Sequence, residues 1–218
     1  MSSRQNKRTQ QTRAQLRAAA QQLFLRDGYA ATSTDAILAE AGIGSKETFY
    51  RHYASKEALF VDVLGQLTLE QPDVVARLAQ LPAPQDTASL RAALITIARE
   101  LLSLMSQPAY QSLLRVVLAE TPRFPKLGPL YRAAVPERGF AIVRSVLERA
   151  RERNLIAESD LDAAVHAFVG GLLAYALTSL AFGGEDAKPP AIERADAVAE
   201  VVVRALAPDA AATSGAKE

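Results

Sequence analysis

Over the first sixty-seven positions, apolar residues recur with the 3.6-residue period of helices that bury one face. Leu16, Ala19, Ala20, Leu23 and Phe24 follow i, i+3, i+4, i+7, i+8 spacing, and Gly28 ends the run. Tyr29 is placed to pack back on Phe24. Ser33 is an N-cap for a second helix that buries Ile37 and Ala41. Gly42 closes it, with Ile43 able to fold back on Leu38. Ser45 caps a third helix whose inward residues are Phe49 and Tyr53. Ser55 caps a fourth, with Glu57 in its first turn, where the helix dipole favours an anion. Its buried stripe is Leu59, Phe60, Val63, Leu64 and Leu67.

Further along, the fourth helix is expected to bend or break at Pro72, and Pro82 and Pro84 mark a loop. Helices are expected over 87–105, 109–120 and 137–154. Pro122, Pro125, Pro129 and Pro136 break the intervening segment into short pieces. Asp160 caps an apolar helix that runs to Phe182, where Gly183 and Gly184 stop it. Pro189 and Pro190 open the last helix and Pro208 closes it. No strand alternation persists, so the fold class is all-α. The pattern divides into an arm at 1–12, a helical domain at 13–64, a larger helical domain at 65–208 and a disordered tail at 209–218.

Charge changes this picture. The chain has 218 residues and a net charge of only +1. Residues 1–60 nevertheless carry nine cations against five anions, and the remainder 16 against 19. Such asymmetry suggests a nucleic-acid end and a neutral-to-acidic end, and the basic 1–12 segment reads as a flexible arm. Hydrophobic residues make up 49%, enough for a substantial core. There is no cysteine, which rules out disulfides and thiolate metal sites and suits a reducing cytoplasm. The N-terminus has no apolar signal region. Ala163 to Phe182 carries no charged side chain and is long enough to span a bilayer. Interrupted by His166, Thr178 and Ser179, it reads better as a helix covered on all sides by protein, and no membrane partner is expected.

The candidate chemistry lies in the third helix. Two short helices around a glycine turn, followed by another helix start, are how a chain presents one helix to the major groove. With Phe49 and Tyr53 inward, Lys46, Glu47, Thr48, Tyr50, Arg51 and His52 point outward or sideways. Lys, Thr, Tyr, Arg and His side chains reach phosphates and base edges, and Lys56 follows closely. An amphipathic helix with a merely solvated face is the bland alternative. The glycine turn and the basic arm weigh against it. Two histidines with no His-x-x-x-His pair do not suggest a metal site. No phosphate loop or nucleophile elbow is present. No catalytic residue, metal or cofactor is expected, and an enzyme is the remote alternative.

These residues resemble the TetR family of bacterial transcriptional regulators. The resemblance is carried by Gly28-Tyr29, Thr32-Ser33, Ile37 with Ala41-Gly42, Ser45-Lys46, Thr48-Phe49-Tyr50 and Ser55-Lys56-Glu57 with Leu59. It is dense over residues 12–64. The turn Gly42-Ile43-Gly44-Ser45 is one residue longer than the family's, and Gly44 and Ser45 are counted with the DNA-facing turn. The resemblance implies that Ser33 and Thr34 sit over a phosphate. Lys46, Thr48 and Arg51 would face bases or the adjacent backbone, and Tyr50, His52 and Lys56 would hold phosphates. Phe49 is a core position in the family. More weakly, RVVLAETPRFPKLGPLYRA resembles one branch of it.

The larger domain is then expected to bind a small ligand and to dimerise. Arg115, Glu120, Phe124, Tyr131, Arg144, His166 and Tyr175 are candidates for a mostly apolar pocket, although each alone reads more readily as packing or surface. His166 reads more readily as a core or interface residue. Gly170, Leu173, Leu180, Val198 and Val202 are candidates for the dimer interface, because a monomer has little reason for a helix apolar on every face. The expected partners are palindromic double-stranded DNA, a second copy of the chain and an unidentified small molecule. The expectation is a cytoplasmic, homodimeric repressor released by that molecule. A constitutive regulator or activator without a ligand is the alternative.

Overall fold

The computed structural model describes residues 2–66, 71–157, 159–181 and 188–208, with side chains from residue 6 onward except at 72, 79, 180 and 181. The disordered tail expected at 209–218, the helix end at Phe182 to Gly184 and the stripe residue Leu67 lie outside these residues. The elements are α1 (Ser2–Asp27), α2 (Thr34–Glu40), α3 (Lys46–His52), α4 (Lys56–Gln66), α5 (Pro72–Ala79), α6 (Thr87–Met105), α7 (Pro108–Glu120), α8 (Leu127–Ala134), α9 (Pro136–Glu152), α10 (Leu161–Ala176) and α11 (Glu193–Ala205). A π-helical turn, Leu177–Ala181, prolongs α10. No strand occurs among the described residues, and the fold is all-α.

Two compact units share the chain: residues 2–66 with 108–136, and residues 71–107 with 137–208. This packing division differs from the single cut at 64/65 read from sequence. Leu113, Val117, Leu127 and Ala134 of the inserted segment join the core of the first unit.

In the first unit, α1 starts at Ser2, so the residues read as a flexible arm are helical. The segment is rich in Gln, Arg and Lys and has neither Gly nor Pro, so nothing stops the helix from extending backward. Leu16, Ala20, Phe24, Ile37, Phe49, Leu59 and Phe60 are fully buried. Phe24, Tyr29 and Phe60 pack ring to ring at 5.0–5.5 Å between centroids. Burying each such side chain contributes about 1.5–3 kcal/mol. The Tyr110 and Tyr131 hydroxyls bond to each other at 2.8 Å and tie α7 to α8.

The second unit packs α6, α10 and α11 together. Leu94, Ile97 and Ala98 face inward from α6, Val165, Phe168 and Leu172 from α10, and Ala195, Ala199 and Val203 from α11. Arg99 forks onto Asp196 at 2.6 and 2.7 Å, and Arg91 meets Glu200 at 3.0 Å. Asp86 caps α6 with a reciprocal Ser89 bond. Asp160 caps α10, as the sequence implies.

Several boundaries differ from expectation. Of the bend or break expected at Pro72, the structure shows a separate helix, α5, opening at that residue, since proline is tolerated at the first helical position. The last helix begins at Glu193, past Pro189 and Pro190. α9 stops at Glu152, and Asn154, at φ +58°, forms its left-handed cap. The stretch Leu161–Ser179 is long and apolar enough to cross a bilayer by length and composition. Within the chain it is covered on one side only. Ala163, His166, Ala167, Gly170 and Ala174 stay exposed, because α6 and α11 meet just the Val165–Phe168–Leu172 side.

Candidate nucleic-acid interface

Local bonds explain why α2 and α3 form. The Ser33 Oγ accepts from the Ala36 amide at 3.0 Å. At the other end of α2, the Ile43 amide donates to the Leu38 carbonyl at 2.9 Å and the Gly42 amide to Ala39 at 3.2 Å. This closure needs a left-handed residue, and Gly42 supplies it at φ +67°. Ser45 caps α3 by accepting from the Thr48 amide at 3.2 Å, and its hydroxyl also meets the Thr48 hydroxyl at 3.0 Å.

Phe49 fixes the roll of α3. It is 0% exposed and stacks edge-on against Tyr50 and tilted against Tyr53. Tyr50 is 55% exposed, and Gly44, Ser45, Lys46 and Arg51 are exposed as well. Thr34, Thr48 and His52 are half-buried beside them, and Ser33 is exposed at the head of α2. The two cations have carboxylate neighbours: Lys46 pairs with Asp35 at 2.9 Å, and Arg51 with Glu47 at 2.9 Å. Exposed pairs of this kind are weak, about 0–1 kcal/mol, so a phosphate can replace either carboxylate. Burial, together with the Arg13 and Arg51 charges, pushes the His52 imidazole below its ordinary pKa.

Lys56 is placed differently from its expected role at a phosphate. Its ammonium donates to the Tyr29 and Thr32 carbonyls, both at 2.8 Å, and lies 4.3 Å from the Tyr29 ring centroid. It therefore fastens the turn between α1 and α2. The buried Thr32 hydroxyl donates to the Gly28 carbonyl at 2.8 Å. Glu120 closes the same turn by accepting from the Ala30 amide at 3.2 Å.

Sequence reasoning missed a second polar network. Arg13 and Arg17, one turn apart on α1, converge on Asp62 of α4 at 2.9 and 3.4 Å. The Tyr53 hydroxyl donates to the same carboxylate. Burial raises the Asp62 carboxyl, but the bonds from Tyr53 and Arg13 and the two arginine charges outweigh it and hold the group below its ordinary range. Burial and Asp62 push the Tyr53 phenol up to about 12. The signal was available: Asp62 is a lone carboxylate inside an apolar helical stripe.

The pocket candidates fall into both units. Arg115, Glu120, Phe124 and Tyr131 belong to the first; Arg115 is exposed, Glu120 holds the turn, and Tyr131 is bonded to Tyr110. Arg144, His166 and Tyr175 belong to the second. Arg144 pairs with Asp162, and Arg194 lies over the Tyr175 ring. His166 is exposed rather than a core residue. Its Nδ1 is 2.8 Å from the Asp162 carbonyl and its ring packs on Phe140. Among the interface candidates, Gly170 faces open space and Leu173 is half-buried. Val198 packs on Gly171 within the chain. Val202 is buried in the chain's own core, 7% exposed, whereas its neighbour Val201 is 66% exposed. The one-residue step turns the side chain by 100° around the helix. The side chain of Leu180 lies outside the described residues.

A capped α2, a tight glycine turn and an α3 rolled by Phe49 make a helix-turn-helix of the kind that reads DNA, joined to an all-helical second part. The chain belongs to the TetR family of bacterial transcriptional regulators. Residues 16–63 match the family described as "Bacterial regulatory proteins, tetR family", and residues 92–207 match "AefR-like transcriptional repressor, C-terminal domain". Among solved structures, the chain is 31% identical to the flavonoid-responsive regulator FrrA, with 91% of this chain and 98% of that one covered and a TM-score of 0.68. It is 25% identical to a TetR-family regulator from Mesorhizobium loti MAFF303099, covering 92% and 99%, with a TM-score of 0.70. SmeT, the repressor of the Stenotrophomonas maltophilia efflux pump SmeDEF, shares the fold at 20% identity over 93% of each chain, with a TM-score of 0.62. No curated protein matches.

Proposed function

We propose that the chain is a homodimeric repressor that binds a palindromic operator through α3 and leaves it when a small molecule binds. The observation that carries this reading is the exposed row on α3, with Phe49 locked beneath it. Lys46, Thr48 and Arg51 face bases or the nearby backbone. Ser33, Thr34, Gly44, Ser45, Tyr50 and His52 line phosphates, and Lys56 supports them by holding the turn. One α3 per subunit enters successive major grooves.

The open small-residue side of α10, with Val201 of α11, supports a second copy as partner. A flavonoid-responsive relative and an AefR-like repressor match support release by an apolar ligand. In this reading Arg144 and Tyr175 orient that ligand in the second unit, while His166 lies on the face offered to the second copy. The chain passes between the units at 66–71, 107–108 and 136–137, so a shift in one unit can bias the other. The protein works in the bacterial cytoplasm.

The test uses duplexes selected from random DNA by the purified protein. Tyr50→Phe weakens binding to all sequences alike, because a phosphate contact carries no base information. Arg51→Ala and Thr48→Ala change the preferred sequence. A changed preference in Tyr50→Phe would overturn this division of α3. A ligand found by calorimetric screening must bind more weakly in the presence of operator, by the same factor with which it weakens DNA binding. Equal affinity in both states would leave a constitutive regulator.

A further inference from the structure

The first unit carries a groove of about 320 Å³, near the lower end of small-ligand sites. Its walls come from the turn after α1, the first turn of α4 and the link between α7 and α8. Tyr29, Phe124, Leu127 and Leu130 form its apolar part. Phe124 stands edge-on to Tyr29 at 6.3 Å and keeps 39% of its surface exposed. Arg123 and Lys126 also line the groove, and among the described residues neither has a carboxylate partner.

Tyr29 supplies the second observation. It is 5% exposed, yet no atom completes a hydrogen bond to its hydroxyl. A buried hydroxyl without a partner is destabilising, and a ligand acceptor that reaches it recovers that cost. Burial, reinforced by Glu57, pushes the phenol up, so it stays a donor at neutral pH. Glu57 stands at the groove too; its carboxylate is engaged chiefly by its own amide and by Ser55 at the start of α4. It also lies within electrostatic reach of the Tyr29 hydroxyl without completing a bond to it, so an incoming anion must compete with it there.

We propose that this groove binds a small aromatic carboxylate, its ring against Phe124, Leu127 and Leu130 and its anion held by Arg123, Lys126 and the Tyr29 hydroxyl. The modest volume suits one or two rings rather than a long acyl chain. Such a ligand rests on the residue whose carbonyl receives the Lys56 ammonium, at the turn that leads into α2. Occupancy therefore biases the presentation of α3. This last consequence rests on the DNA-reading role proposed above; binding itself does not.

The test titrates benzoate, cinnamate and 1-naphthoate into the full chain by calorimetry, with 1-naphthalenemethanol as the uncharged control. At least one acid should bind, and the alcohol should bind at least tenfold more weakly than 1-naphthoate. An Arg123→Gln, Lys126→Gln double variant should lose at least tenfold in acid affinity while melting like the wild type, since both side chains are exposed. Leu130→Trp should fill the groove and abolish binding of the acids and the alcohol alike. No acid binding at millimolar concentration, equal affinity for the alcohol, or unchanged affinity in the double variant would overturn the site. Anisotropy with duplex DNA separates the coupling: acid that binds wild type without altering DNA affinity overturns the effect on α3 and leaves the site standing.

Discussion

Replacing Lys56 by Met separates a structural lysine from a phosphate-binding one. The ammonium donates two charge-assisted hydrogen bonds to backbone carbonyls and lies against the Tyr29 ring. Charged hydrogen bonds contribute about 1.5–3 kcal/mol each, and a partly exposed cation–π contact about 0.5–1 kcal/mol. Against this, burial disfavours the ammonium and lowers its pKa, a cost that methionine removes. Methionine also keeps most of the packing of the lysine stem. The net loss is about 2–3 kcal/mol. For a chain of this size each kcal/mol moves the midpoint by about 2–4 °C, so the melt should fall by about 5–10 °C. The assay pairs thermal circular dichroism with the salt dependence of duplex binding. If Lys56 instead held a phosphate in solution, the melt would stay within a degree of wild type and the log–log salt slope would shallow by about 0.9. That pair of results would refute the internal role.

Three further outcomes are expected. Deleting residues 2–8 removes Arg4, Lys7 and Arg8 and should shallow the salt slope by about 2–3, at about 0.9 per phosphate contact; an unchanged slope would show that the start of α1 stays clear of DNA. Val201→Glu should leave circular dichroism native and convert dimers to monomers in light scattering, whereas Val202→Glu buries an unpaired charge and should unfold the second unit; a native Val202→Glu variant would reverse the assigned roll of α11. Because the folded state depresses the His52 pKa, its neutral form stabilises the fold above the unfolded value of about 6.5, and that contribution is lost as pH falls through the folded value. His52→Gln should therefore flatten the fall in melting temperature between about pH 7 and pH 5; identical pH profiles would contradict the assignment.

The helix-turn-helix was legible in the residues alone, because its signals are local. Ser33, Ser45 and Ser55 cap helices with side chains three residues from the amides they serve, and Gly42 supplies a backbone angle that other residues resist. Periodicity likewise placed Phe49 inward and thereby Tyr50 outward. What spacing could not decide was the destination of long polar side chains. Lys56 reads as one more surface cation until the carbonyls at 29 and 32, a quarter of a hundred residues away, come within reach. Glu120 turns to the Ala30 amide ninety residues earlier for the same reason. Val201 and Val202 are equivalent to a composition count, and only the packing of α11 on α6 and α10 buried one and left the other in solvent. Local bonds are written in consecutive residues. Contacts across the fold depend on how the helices pack, and no run of consecutive residues records that.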